Sequence, residues 1–188
     1  NGAAEKGPLR MLKRLFRTRD RARPQALYAA AAAQARTPAF YTDLGVEDRI
    51  DARFELYTLH VLLLILRLRD EEGARATEGA ETAQDLFDVY VSALDHTLRE
   101  LGVGDIVVGK KMRKLGESLY GRMTAYETPL RAGEAGGLEL AIARNVYEAE
   151  TAPGAAAVAR YALASRAALG GQTLPEVFKA PAWATVAQ

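Results

Sequence analysis

Ile50-Asp51-Ala52-Arg53-Phe54-Glu55-Leu56-Tyr57-Thr58-Leu59-His60-Val61-Leu62-Leu63-Leu64-Ile65-Leu66-Arg67-Leu68-Arg69 is the stretch on which the fold turns. Ile50, Phe54, Tyr57, Val61, Leu64, Ile65 and Leu68 recur at three- and four-residue steps, the period of a helix packed on one side. Leu59, Leu62, Leu63 and Leu66 widen that stripe until most of the perimeter is apolar, and such a helix belongs in the centre of a bundle. The helix is expected from about residue 47 or 51 to about residue 69. Its unbroken apolar run, residues 61–66, ends at Arg67, far short of the roughly 18–20 apolar residues that cross a bilayer. His60, inside the apolar surroundings, is expected as a satisfied core residue rather than a metal ligand.

Before this helix, residues 38–45 (Pro-Ala-Phe-Tyr-Thr-Asp-Leu-Gly) read as a loop with two adjacent aromatics, Phe40 and Tyr41. Residues 25–36 are Ala-rich and helix-forming, entered at Pro24 and stopped by Thr37-Pro38. Leu9, Leu12, Leu15 and Phe16 recur at helical spacing in a basic stretch, which gives a short amphipathic helix. After the central helix, residues 72–79 form a polar connection. A helix over about 80–101 places Ala83, Leu86, Phe87, Tyr90, Val91, Leu94, Leu98 and Leu101 inward, and Gly102 stops it.

Asp105 caps the next helix, expected to reach about residue 128, with Met112, Leu115, Leu119, Met123 and Tyr126 as its stripe. Gly109, Gly116 and Gly121 interrupt it at about 1 kcal/mol each, so at least one is expected to admit another backbone. Two more helices follow over about 138–150 and 154–169. The end of the chain, with Pro175, Pro181 and Trp183, is expected to be mostly irregular. No segment has strand period and no repeat recurs at fixed spacing.

The fold class is therefore all-α: a single compact helical domain of about six to eight helices. Residues 1–24 form a basic amphipathic N-terminal segment, 25–172 the helical domain and 173–188 an irregular tail. The composition agrees. The 188 residues are 49% hydrophobic with a formal charge of +1, enough apolar material for one core. There is no cysteine, which excludes disulfides, thiolate metal sites and a cysteine nucleophile.

The near-zero total conceals a polar molecule. Residues 1–24 hold eight basic and two acidic side chains, and residues 70–105 hold ten acidic and two basic. A second basic cluster, Lys110, Lys111, Arg113 and Lys114, has Tyr120 and Arg122 some two turns on. Such clusters are either solvated faces or contact surfaces for phosphate backbone or an acidic partner.

No motif performs chemistry. His60 and His96 lack paired-ligand spacing, and no metal or cofactor is expected. Glu78, Glu81, Asp85 and Asp88 share roughly one helical face, but the Glu-x-x-His pairs of di-iron bundles do not occur. Gly102-Val103-Gly104-Asp105 resembles a phosphate turn only in part, and Asp105 would occupy the same positive helix end. An enzyme using the carboxylates ranks below a binding protein.

Two blocks carry a family resemblance. The first is Pro38-Ala39-Phe40-Tyr41-Thr42-Asp43-Leu44-Gly45-Val46 with Arg53-Phe54 and Leu59-His60-Val61. The second runs from Leu98-Arg99-Glu100-Leu101-Gly102-Val103-Gly104-Asp105 through Val108-Gly109-Lys110-Lys111-Met112-Arg113-Lys114 to Tyr120-Gly121-Arg122. Together they resemble the ubiquinol–cytochrome c chaperone family, and the chain looks like a bacterial member, as from an alphaproteobacterium.

The resemblance implies a non-catalytic assembly factor for ubiquinol–cytochrome c reductase (respiratory complex III) that holds newly made cytochrome b. Its partners would be cytochrome b or another complex III subunit. The resemblance does not extend to the ribosome for a bacterial member; it is the basic clusters that make the ribosome and the inner membrane candidate contacts, with no DNA expected. Lys110, Lys111, Arg113, Lys114, Tyr120 and Arg122, with the loop aromatics Phe40 and Tyr41, are the candidate client or partner surface. Arg10, Lys13, Arg14, Phe16 and Arg17 are the candidate membrane- or ribosome-facing residues. The expected location is cytoplasmic, peripheral on the cytoplasmic face of the inner membrane. The alternative is an RNA- or ribosome-binding helical module acting through its basic clusters.

Overall fold

The computed structural model describes residues 21–187 apart from 101–104, with the side chains of 97–100 and 105–117 outside the description. The fold is all-α. Among the described residues the helices run in order as α1 (Ala22–Ala35), α2 (Pro38–Thr42), α3 (Ile50–Arg69), α4 (Ala76–Glu100), α5 (Asp105–Ala132), α6 (Ala135–Val146), α7 (Pro153–Gly170) and α8 (Leu174–Lys179). A single 3-10 turn, Gly73–Arg75, leads into α4. The basic segment 1–20, including Arg10, Lys13, Arg14, Phe16 and Arg17, lies outside the described residues.

The apolar perimeter of α3 puts it at the centre, as its sequence requires. It packs against α1, α4, α5, α6 and α7 and is buried without a break from Thr58 to Leu68. Its N-terminal end rises out of the bundle, where Ile50 is 65% exposed. Arg67 ends the apolar run but stays inside, because its guanidinium caps the C-terminus of α7: Nε donates to Leu169 O at 3.0 Å and Nη2 to Gln172 O at 2.7 Å. Leu169 O also accepts the Gln172 N–H at 3.1 Å, so the guanidinium locks the chain where it leaves α7.

Three sequence expectations are corrected. Residues 38–42 are helical, not loop, with Pro38 in the first turn, and Phe40 is fully buried against Tyr161 and His60 at 5.0 and 5.6 Å between ring centroids. The polar connection is shorter than expected, since α4 begins at Ala76; Gly79 allows this by passing so close to Leu68 O that a Cβ would overlap it. The tail contains α8, opened by Thr173, whose N–H and hydroxyl both donate to Glu176 Oε2 at 2.7 and 2.8 Å. Leu174 and Val177 of that helix are buried.

Gly121 does not admit a neighbour: a Cβ there would meet nothing within 4 Å. Gly109 and Gly116 lie in the part of α5 whose side-chain surroundings are not described. Close approach occurs instead at Gly154, in the first turn of α7, where a Cβ would overlap both Leu44 O and Tyr147 Oη. Tyr147 Oη itself donates to Leu44 O at 2.7 Å, so neither atom can yield without breaking that bond. Gly154→Ala is therefore expected to lose at least about 1 kcal/mol despite alanine's better helix propensity. An unchanged or raised denaturation midpoint would show that the α2–α3 connection shifts freely.

Candidate functional site

Near the exposed end of α3, its side chains gather with rings of α1, α2 and α4 and an arginine of α5. Phe54 stacks on Tyr90 of α4 at 6.4 Å, and Tyr90 meets Tyr28 of α1 at 6.0 Å. Arg122 of α5 places its guanidinium carbon 5.5 Å from the Phe54 centroid. Tyr41 of α2 is anchored by its hydroxyl to Ala35 O at 3.0 Å. Burial raises the pKa of Tyr28 and of Tyr41, and the neighbouring Tyr57 adds to the rise at both.

Tyr28, Tyr41, Phe54 and Tyr57 are packed against the core yet only partly covered. Ile50, one turn before Phe54, continues the same stripe into solvent. The result is a band of half-buried rings with phenol edges and an arginine at the rim, the composition of a contact surface rather than of an acid–base centre.

Beneath the band lies a buried charge. Glu55 is 2% exposed, pairs with Arg122 and accepts a hydrogen bond from Tyr126 Oη at 3.2 Å. Burial pushes its carboxyl up to about 7, and the pull of Arg122 and Tyr126 reverses only part of that. Deeper in, Thr58 donates to Phe54 O at 2.9 Å, which leaves its oxygen to accept the Tyr90 hydroxyl at 2.7 Å.

His60 occupies the core as its sequence context implies. Nδ1 lies 2.7 Å from Leu56 O and must donate there, so Nε2 accepts the Tyr161 hydroxyl at 2.8 Å. Full burial lowers its pKa to about 4, against the smaller opposing effect of the Leu56 hydrogen bond. Both buried titratable groups are engaged by their neighbours.

A second feature is an open cleft of about 630 Å³ where the C-terminal ends of α3, α5 and α7 meet. Its cations are matched: Arg67 pairs with Glu71 at 2.8 Å, while Arg131 and Arg166 both reach Asp70 at 2.9 and 3.0 Å. Burial opposes ionisation of Asp70, but hydrogen bonds from the two arginines outweigh it and hold the carboxyl below its ordinary value. Arg67 and Arg131 lie in the last turns of α3 and α5, where the helix dipoles favour a cation. Among the described residues no group of three or more His, Asp or Glu side chains is placed to hold a metal ion.

The residues singled out from sequence fall in different places. Tyr41 and Arg122 join the band, although Arg122 does so as the partner of a buried acid. Tyr120 is 78% exposed on the outer side of α5. Phe40 is a core residue and is not available to a client, because its ring is enclosed by His60 and Tyr161. The backbone of Lys110, Lys111, Arg113 and Lys114 lies in α5, and their side chains are outside the described residues. Of the carboxylate face, Glu78 is taken by Arg23 and Arg75 at 3.0 and 3.1 Å. Tyr28, Phe54, Tyr57 and Glu55 were not anticipated as site residues; an acid inside an otherwise apolar helix was the available signal.

Comparison with known proteins follows from this geometry. Residues 42–184 match the family model described as ubiquinol–cytochrome c chaperone. No curated protein matches the chain. Among solved structures, the chain is similar to the crystal structure of the Cbp3 homolog from Brucella abortus, at 30% identity and a TM-score of 0.77, covering 95% of this chain and 97% of that one. The family model covers most of the chain and includes Phe54, Glu55, Tyr57, His60 and Arg122, so the chain belongs to the ubiquinol–cytochrome c chaperone family.

Proposed function

We propose that the protein is a non-catalytic assembly chaperone for ubiquinol–cytochrome c reductase and that newly made cytochrome b is its client. The observation that carries the reading is the family match over residues 42–184. The site supports it: the titratable groups that burial perturbs are held by neighbours, while the partly covered surface is a band of aromatic rings suited to apolar contact. The basic segment with Arg10, Lys13, Arg14, Phe16 and Arg17 would keep the protein on the cytoplasmic face of the inner membrane, close to where a membrane client emerges.

Deleting the gene tests this. Loss of assembled complex III with unchanged cytochrome b message is the expected result, together with cross-linking of cytochrome b to Tyr57 or Phe54 replaced by a photoreactive residue. Normal complex III would sink the reading. RNA binding that falls steeply with salt, alongside normal complex III, would favour the module that acts through its basic clusters.

The cluster on α5 yields a separate prediction. If these cations form a contact surface, reversing the charge of Lys110, Lys111 and Lys114 together should leave the melting temperature nearly unchanged, since surface charges contribute little to stability. The same change should lower client or ribosome association and the level of complex III. Full assembly by a normally folded triple variant would remove these cations from the site.

A further inference from the structure

The chain beyond α8 does not leave the body of the protein. Ala180 is extended, and the residues after it run back over α7 and α3. Gln172 grips this strap with its amide: Nε2 donates to Ala180 O at 2.9 Å and Oε1 accepts Ala182 N–H at 2.8 Å. Two residues on, Ala184 N–H donates to Ser165 Oγ at 3.1 Å. Between those bonds Trp183 stands edge-on to the buried His60 ring, 5.3 Å between centroids. Main-chain bonds at 182 and 184 with a ring inserted at 183 follow the two-residue period of an extended peptide.

The receiving side belongs to the core. Ser165 is fully buried, as is His60, and Tyr161 is 3% exposed. The Tyr161 hydroxyl accepts from Gln34 Nε2 at 3.0 Å and donates to His60 Nε2 at 2.8 Å, while His60 Nδ1 donates to Leu56 O at 2.7 Å. The acceptor of the Ala184 N–H and the ring that Trp183 meets are thus both fixed parts of the core. The strap, by contrast, is only partly buried at Pro181, Ala182, Trp183 and Ala184. Three main-chain bonds, the Trp183 ring and the packing of Ala184 and Val186 on the core hold it. The seat is supplied by α3, α7 and the α7–α8 link, so it is complete without its occupant.

We propose that the face between α3 and α7 is a peptide-binding groove occupied in cis by residues 180–186, which also accepts in trans an extended segment bearing a large aromatic between two small residues. The seated strap states the chemistry of the partner. The flanking residues must be small, as Ala182 and Ala184 are, for the main chain to reach Gln172 and Ser165. Their N–H groups must be free, and the aromatic must be able to stand against His60. This inference does not rest on the identity of the client.

The test uses the full chain and a labelled peptide copying residues 180–188, followed by fluorescence anisotropy. The Trp183→Ala variant, whose strap has lost its ring, should bind the peptide at least ~10-fold more tightly than the wild-type chain, which carries its own competitor. A peptide with alanine in place of tryptophan should not bind. Adding Gln172→Ala should weaken binding by roughly 10-fold or more, since two hydrogen bonds are lost. No binding to folded Trp183→Ala, or binding indifferent to the peptide's tryptophan, overturns the proposal.

Hydrogen exchange on the wild-type chain decides the matter if that variant does not fold. The Ala182 and Ala184 amides should exchange at least ~10-fold faster than those in the middle of α7, because the strap lifts without unfolding the bundle. Equal rates would make the strap an inseparable part of the core and end the proposal. Trp183 is the single tryptophan of the sequence, so in the wild-type chain without added peptide its emission reports the seat alone.

Discussion

Leu64→Ala is expected to lower the unfolding free energy by about 2–5 kcal/mol, with the upper half of that range the more natural outcome. Leu64 has no exposed surface, and α3 meets helices on every side. A cavity there can close only if several helices move together, so the loss of transfer free energy and the cost of the void add. Domains of this kind are stable by about 5–15 kcal/mol, so one such substitution removes a large share. Urea denaturation should show a lower midpoint at unchanged slope. Leu140→Ala, at a side chain 43% exposed, serves as the control and should cost less than about 1 kcal/mol. A loss below about 1 kcal/mol at Leu64 itself would mean that α3 is not the central helix.

The centre of the fold was legible because α3 carries an unusually strong signal: apolar residues on nearly every side over five turns. The same reasoning could not find α2. Its five residues, Pro38–Thr42, are too few to display a period, and Phe40 beside Pro38 and Asp43 looks like part of a turn. What buries Phe40 is the meeting of α3 and α7 above it, which is a property of the tertiary fold. Ile50 shows the converse. It keeps the helical register of Phe54 and Tyr57, but the bundle ends before it does.

The glycines make a related point. Gly121 stands where glycine costs a helix most, and nothing approaches it. Gly79 and Gly154 stand in the first turns of α4 and α7, where glycine costs little and attracts no notice, and these are the positions at which another backbone presses in. Close approach is set by how elements cross, not by how much a glycine disfavours its own helix.

The candidate site was legible only in fragments for the same reason. Tyr28, Tyr41, Phe54 and Arg122 come from four helices, and nothing local to any of them announces that they meet. Arg122 was read as one of a run of surface cations. Its partner is instead Glu55, a carboxylate 2% exposed, and that pairing ties the rim of the aromatic band to the interior of the protein.

This buried pair leads to the last expected result, a pH dependence that appears only when Glu55 is replaced. The Glu55 carboxyl sits at about 7 in the folded protein against an ordinary 4.5. The folded state therefore holds its proton more tightly, and stability is greatest below pH 4.5 and declines as the pH rises to about 7. His60 acts in the opposite sense. Its folded pKa is about 4 against an ordinary 6.5, so its contribution is present above pH 6.5 and is lost as the pH falls toward 4.

The two windows overlap, and in the wild-type chain the slopes largely offset each other. Glu55→Gln removes one of them. At pH 8 the variant should match or exceed wild-type stability, because the ionised carboxylate no longer has to be buried, while the partly exposed Arg122 keeps its contact with water. Between pH 8 and pH 5 the variant should then fall behind the wild-type chain by about 2–3 kcal/mol, the free energy of the missing proton uptake. Denaturation curves for both proteins at the two pH values measure this difference directly, and contributions from other carboxylates cancel in the comparison. Parallel behaviour of the two chains would mean that Glu55 is ionised throughout, held by Arg122 as an ordinary salt bridge. In that case the rim of the band would be fixed by charge at every pH at which the protein folds.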